Sequence, residues 1–466
     1  MSIFYLVVLL IYSFLLIGIG LWLGRRVRGT SDFFVAGRKL GPTLIFSTML
    51  AANIGAGSTV AAAGLGYSDG LSAWWWVGSA ALGSIVLAFW IGPRMRQLAN
   101  SHHFQTLGDY LDFRFGKGVR GTITVLMSVG TISLLAVQLI GIGFVLNVIT
   151  GLERWAGSII GGFVVIGYFS VGGLFASAWI NLIQLVILLL GFVIALPLAL
   201  NSTGGFAQIY EATQHIDEFW NPLQGGNSGW FYLISPGLAF IISPGLIQKV
   251  YGARDDRAVR LGVALNGLVL LVFAAVPMLF GVIARATYPS LLNPELALPN
   301  LLIETVPPIV GALGLAALFS AEVSSSDAIL FMFSTSLAKD LYGRFINPNA
   351  SDREILAFAR KAAVLGGVLG TGLAVLSVSM ISMLSIFYSL LVVSLSIPIL
   401  IGLYTQRLGT TEAYASIITG VGLYIVVHFI SQGSRIFGLT PQFIGVLGAA
   451  TGCYATWLVR SRVRFH

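Results

Sequence analysis

The sequence predicts an all-α membrane protein of about thirteen transmembrane helices, forming one transporter-sized domain over 1–466. Three observations predict it. Hydrophobic residues make up 56% of the chain and charged residues only 9%, far from the balance of a soluble domain. The apolar residues come in stretches of about 20, the length at which a helix crosses a bilayer. Strand-like alternation, the mark of a membrane barrel, is absent.

The spans fall at about 3–24, 42–65, 73–93, 121–149, 155–172, 178–200, 229–250, 260–284, 309–338, 362–379, 383–404, 411–431 and 440–459. The first is not a cleavable signal: it lacks a basic leader, is too long, and is followed by Arg25, Arg26 and Arg28 as a stop. With the amino terminus outside, all of the 26 Lys and Arg residues except Arg154, Arg285 and Arg435 fall on the inner side. That is the positive-inside asymmetry of a plasma (cytoplasmic) membrane protein, with the carboxyl terminus inside. The net charge of +8 therefore reads as topology and not as nucleic-acid binding. The basic loops are placed to meet anionic lipid heads.

Several chemistries are excluded. The single cysteine, Cys453, lies in the last span, so there is no disulfide framework or Cys-based metal site. His102 and His103 are adjacent in an inner loop without helical ligand spacing and read as solvated. No phosphate loop, nucleophile elbow, zinc motif or dinucleotide fingerprint is present, so no enzyme is expected. The longest loops, about 201–228 and 285–308, are too short to form a soluble domain.

Within the ninth span stands Ala321-Glu322-Val323-Ser324-Ser325-Ser326-Asp327. An ionisable group at the centre of a membrane helix costs roughly 2.5–3.5 kcal/mol on insertion scales. Two acids beside three hydroxyls point to an ion or solute pathway, against the plainer reading that they cap one another and tie helices together. Two other spans carry breakers. Ala51-Ala52-Asn53-Ile54-Gly55-Ala56-Gly57-Ser58-Thr59 interrupts the second. In the seventh, Ser235-Pro236-Gly237 and Ser243-Pro244-Gly245 remove backbone donors and kink the helix. The breaks lie five spans apart, which gives them opposite membrane orientations, as an inverted repeat of five plus five helices requires. Interrupted segments in matching positions point to a transporter's binding site, and unwound backbone is tolerated in a bilayer only where protein or a cavity satisfies it. Glycine and proline also serve ordinary helix packing, so each break alone says less than the pair.

The chain resembles the sodium/solute symporter family, which contains sodium/glucose, sodium/proline and sodium/sialic-acid symporters. The resemblance runs from about 5 to 460. It rests on Ser31-Asp32-Phe33-Phe34-Val35-Ala36-Gly37-Arg38, on the Ala51–Ser58 segment, and on Thr106, Leu107, Asp109, Tyr110 and Arg114 in an inner loop. Further marks are Gly172-Gly173-Leu174, Trp179 to Gln184, Gln248-Lys249 and Lys339-Asp340-Leu341-Tyr342. It implies a LeuT-type fold of two inverted repeats, about 42–200 and 229–404, with one extra helix before them and two after.

The resemblance also implies a sodium site on the carbonyls of Ala51, Ile54 and Ala321 and the hydroxyls of Ser324 and Ser325. Ala321, Ser324 and Ser325 stand at i, i+3 and i+4 on one helix face, and a hard cation takes oxygen ligands. Ser326 points elsewhere and reads as structural. Some relatives hold a second cation with an aspartate on the sixth span, where this chain has Asn181. Asp327 either supplies that missing carboxylate or is a structural acid, and Glu322 matches no family feature. The solute is expected at Asn53, Gly57 and Ser58, with Trp75 and Tyr232 as further candidates. The tryptophans Trp74–Trp76 also suit the membrane interface. No Lys or Arg is expected deep in the membrane, which disfavours anionic solutes, although helix amino termini can bind carboxylates without one.

Together these readings predict sodium-coupled uptake of a small polar organic solute by alternating access. Two alternatives stand beside it. One is a proton-coupled symporter using Glu322 or Asp327. The other is a solute-sensing membrane module, disfavoured because the chain ends at His466, soon after the last span.

Overall fold

Each apolar stretch folds as a helix or a broken helix, in chain order. The computed structural model describes residues 2–24, 30–169, 174–377 and 379–463. Arg25, Arg26, Arg28, Gly172, Gly173, Arg464 and His466 lie outside the described residues. Each of the thirteen predicted spans overlaps a helix, but among the described residues ten helices are long and apolar enough to cross a membrane. The difference has a local cause. The run Ala56–His102 counts once although it carries parts of two predicted spans, with a turn at Gly70 between them, and the helix Arg154–Phe169 has only 16 residues, whereas the first helix, Ser2–Gly24, has 23.

The first break is a true interruption. The helix Pro42–Asn53 stops at Ile54, which is extended (φ −102°, ψ 103°), as is Gly55 (φ −146°, ψ −164°). A tight turn over Ala56–Ser58 follows, and the helix Val60–Asp69 resumes. The second break is a proline kink. Pro236–Ile242 ends at Ser243 (φ −56°, ψ 125°), and Pro244 starts the helix Pro244–Tyr251 from its first position, where a missing N–H costs nothing.

Around these breaks the packing is close. A Cβ on Gly281 would strike the Ala63 carbonyl and one on Gly66 the Met278 carbonyl, so Val60–Asp69 and Ala275–Thr287 meet backbone to backbone. The long helix Pro308–Ser336 lies at the centre, buried on nearly every side from Gly311 to Thr335. It packs against Lys117–Thr150 and Leu174–Ser202. The helices Thr410–Ser431 and Pro441–Val463 pack on each other at the periphery, where Ile418, Phe429 and Ile430 are exposed to the lipid side.

The two ends of the bundle differ. On the basic face, Arg120 holds Asp340 (2.7 Å), Asp109 (2.9 Å) and Asp112 (3.1 Å). Lys339 and Arg344 join it at 3.3 Å from Asp109 and 2.7 Å from Asp112. The network ties the short helix Leu107–Phe115 to the end of the central helix. His102 and His103 are exposed on the same face. On the opposite face a two-stranded hairpin, Gln224–Gly225 with Ser228–Gly229, covers the helix ends, and Ser228 Oγ donates to Asp69 (2.6 Å). Nearby, the Met380 amide donates to Glu295 (3.0 Å).

Candidate cation and solute site

The break frees carbonyl oxygens because its own side chains take the donors. In an unbroken helix Gly55 N–H would bond the Ala51 carbonyl. Here it donates to Ser58 Oγ instead (3.0 Å), and Ser58 N–H turns back to the Gly55 carbonyl (3.0 Å), so the Ile54 carbonyl also lacks its helical donor. The Ala56 amide donates to Gln138 Oε1 (2.8 Å), and Trp76 Nε1 donates to the Gly57 carbonyl (2.8 Å). Asn53 Nδ2 donates to Asn266 Oδ1 (3.0 Å). Unwound backbone is thus satisfied from two other helices, and the Asn53 side chain from a third.

The central helix meets this break with its serine face. Ser325 Oγ stands 2.9 Å from the Ala51 oxygen and 3.0 Å from the Ile54 oxygen. Ser324 Oγ lies 3.0 Å from the Ala321 oxygen and 3.4 Å from that of Ala51. All five residues expected from the sequence are therefore brought together, as uncharged oxygens within a few ångströms. Such a set fits a hard monovalent cation. Among the described residues no group of three or more His, Cys, Asp and Glu is placed to hold a metal ion. Ser326 points away, its hydroxyl donating to the Glu322 carbonyl (2.8 Å).

Beside the oxygens lies a central cavity of about 90 Å³. Asn53, Gly57, Ser58 and Ser325 line one side, and Trp76, Phe240, Phe387 and Tyr388 form an aromatic wall. Two expected contacts differ. Trp75 is not in the wall, because its indole turns outward and donates to the Pro222 carbonyl (2.8 Å). Its neighbour Trp76, about 100° further round the helix, takes that place. Tyr232 stands behind Trp76, ring centroids 5.0 Å apart, and does not line the cavity itself.

Lys249 is the larger correction. Its place in a basic loop motif suggested a solvated cation, but it is 3% exposed and lines the cavity. The helix Pro244–Tyr251 turns it inward from the second break. Sequence reasoning also missed Gln138 and Tyr388. Each was detectable as a polar group in the middle of an apolar stretch.

The two acids part company. Glu322 is fully buried, faces away from the cavity, and would come within 2.6 Å of a Cβ placed on Gly141. Among the described residues neither of its carboxyl oxygens has a hydrogen-bond partner. Asp327 is 5% exposed and acts electrostatically on Lys249. Asn181 is buried on Leu174–Ser202, the helix that packs along the central one.

Two broken helices, a set of neutral oxygens at one break and a cavity between them are the parts of a membrane transporter. The chain belongs to the sodium:solute symporter family, whose model matches residues 33–420. It is 27% identical to the sodium/pantothenate symporter of Escherichia coli over 90% of this chain and 89% of that one. It is 26% identical to the sodium/glucose cotransporter of Vibrio parahaemolyticus over 77% and 72%. Its fold superposes on a substrate-bound, outward-open Na⁺-coupled sialic acid symporter with a TM-score of 0.83, at 17% identity and covering 98% and 97% of the two chains. Its structural neighbours are transporters of the LeuT fold.

Proposed function

We propose that this protein carries a small polar organic solute into the cell together with sodium, by alternating access across the plasma membrane. The observation that carries the reading is the Ser325 hydroxyl, within hydrogen-bond reach of both carbonyls released by the first break. Sodium bound by Ala51, Ile54, Ala321, Ser324 and Ser325 would clamp the central helix to the broken one. That favours the outward-open state and prepares the cavity at Asn53, Gly57 and Ser58 for solute. In this reading thirteen helices cross the membrane, with inverted repeats at about 42–200 and 229–404, the amino terminus outside and the basic face inside.

The energetics suffice. One sodium ion crossing 100 mV contributes about 2.3 kcal/mol, and a tenfold gradient adds about 1.4 kcal/mol. Together they support roughly several-hundred-fold accumulation per coupled ion. The test is thermal denaturation of the purified protein with sodium or an inert cation. Sodium should raise the melting temperature of the wild type and not that of the Ser324→Ala/Ser325→Ala double variant. Equal responses would remove the proposed site.

One observation favours a second reading. Glu322, in the helix that bears the serines, has two buried oxygens without partners among the described residues. A proton-coupled cycle would use such a group, and solute uptake would then follow a pH gradient with sodium absent.

A further inference from the structure

Between the central cavity and the basic face lies a second, smaller cavity of about 30 Å³, room for about two water molecules. Met332 lines both cavities, and among the described residues no other does. It is 7% exposed and stands on the central helix seven residues beyond Ser325, about 10 Å along the axis. The short helix after the second break packs against it, since a Cβ on Gly245 would come 3.0 Å from its sulfur. That helix gives Gly245 to the central cavity and Pro244 and Gln248 to the smaller one. Helix and methionine therefore form the partition together.

The wall of the smaller cavity suits one sign of charge. Thr124, Ser128 and Thr131 stand at i, i+4 and i+7 on one face of Lys117–Thr150. Each hydroxyl donates to the carbonyl four residues earlier, at 2.9, 2.7 and 2.6 Å. On the central helix Thr335 Oγ1 donates to the Phe331 carbonyl (2.8 Å), and Ser336 Oγ donates to the Asp340 carboxylate (2.8 Å). A hydroxyl whose proton is committed in this way has only oxygen lone pairs left to offer. These side chains thus present acceptors to a cation and no hydroxyl proton to an anion. The same face of Lys117–Thr150 continues through Leu134 to Gln138 in the central cavity. Polar groups run from the proposed sodium site toward the basic face with an apolar gap at Leu134 and Met332.

We propose that the smaller cavity is a transit site for the sodium ion on its way from Ser325 to the basic face, and that the Met332 side chain is the barrier before it. An apolar constriction stops an ion because it stays dry until it widens. Methionine suits the place, since its unbranched thioether chain adapts its shape without moving the backbone. With Met332 across the gap, sodium is held at Ser325 until the loaded protein rearranges, and it does not leak. This inference rests on the sodium-coupled reading above and adds the route by which the ion leaves.

The experiment uses the purified full chain in proteoliposomes, with radioactive sodium outside and no organic solute. Entry through the wild type should be slow. Met332→Ala, which opens the gap, and Met332→Gln, which wets it at nearly unchanged volume, should each speed entry about tenfold or more. Met332→Leu should stay near the wild type. Adding Ser128→Leu to Met332→Gln should abolish the leak by filling the smaller cavity. All four proteins should keep the wild-type shift in melting temperature with sodium, which shows that they are folded and that the site at Ser325 is intact.

A methionine that serves packing alone would lower the melting temperature on truncation without any leak. Sodium entry at the wild-type rate in Met332→Gln, in protein whose stability still responds to sodium, would therefore overturn the barrier. A leak that Ser128→Leu does not reduce would place the route elsewhere and overturn the transit site. A wild type whose stability ignores sodium would remove the underlying reading and this inference with it.

Discussion

Ser325 and Ser324 hold unequal places at the first break. Ser325 Oγ is 2.9 and 3.0 Å from two carbonyls across the helix interface, whereas Ser324 Oγ has its nearest carbonyl, Ala321, in its own helix. Removing Ser325 takes away the oxygen that spans the interface, and removing Ser324 leaves that bridge intact. Ser325→Ala should therefore weaken the sodium response roughly tenfold, about 1.4 kcal/mol. Ser324→Ala should cost less. Sodium titrations followed by melting temperature give the order, and a larger loss in Ser324→Ala would contradict it. Gly55 acts beside them by having no side chain. A Cβ there would strike Gln138 Oε1 and stand 2.5 Å from Ser325 Oγ. Gly55→Ala should destabilise the protein by about 1–3 kcal/mol through overpacking and abolish the sodium-dependent shift, where a mild variant would retain it.

At the scale of elements, the helix Leu107–Phe115 is pinned to the end of the central helix by the buried guanidinium of Arg120, beside the more exposed pairs Lys339–Asp109 and Arg344–Asp112. Arg120 is 5% exposed and Asp340 1%, with a 2.7 Å contact, and Gly108 leaves room for no Cβ against the Asp340 carboxylate. Breaking a buried pair by removing one partner costs about 3–5 kcal/mol, because the other charge stays buried alone. Arg120→Ala should lower thermal stability by that order. Arg120→Lys should recover only part, since an ammonium does not present the fork that meets Asp109, Asp112 and Asp340 together. Full recovery by lysine would show that the fork is unimportant. The element-level pattern was largely legible in the sequence. The polar run in an apolar span and the paired breaks marked the helices that meet, and Ala321, Ser324 and Ser325 shared a face by spacing alone. The hydrogen bonds that free the Ala51 and Ile54 carbonyls were not legible, because Ser58 and Gln138 become donors and acceptors there only once the chain has turned.

For the whole molecule, the face opposite the basic one carries a carboxyl sensitive to pH. Burial pushes Glu295 up to about 7, with the Met380 amide and Arg154 offsetting only part of that effect. In the unfolded chain the group titrates near 4.5. Between these values the folded state holds the proton and the unfolded state does not, so stability is greatest at the acid end and falls as pH rises through the window. The melting temperature of the wild type should fall between about pH 5 and 7.5, and that of Glu295→Gln should fall less. Identical slopes would show that Glu295 does not contribute.

While the five oxygens expected at one break came from the resemblance to the sodium/solute symporter family, hydropathy and charge along the chain were enough to determine a multi-pass helical membrane protein and the places where two helices break. These are properties of single segments, set by the length of apolar runs, by residues that cannot sustain a helix, and by the helical period. Which side chains face the cavity was decided only by the tertiary structure. Trp75 and Trp76 are adjacent, yet one reaches the hairpin loop and the other the cavity. Lys249 follows a run that reads as the end of a span, yet the kink at Ser243 turns it inward toward Asp327, 78 positions later in the chain. A residue's surroundings inside a bundle are set by the helices packed against it, and those come from distant parts of the chain.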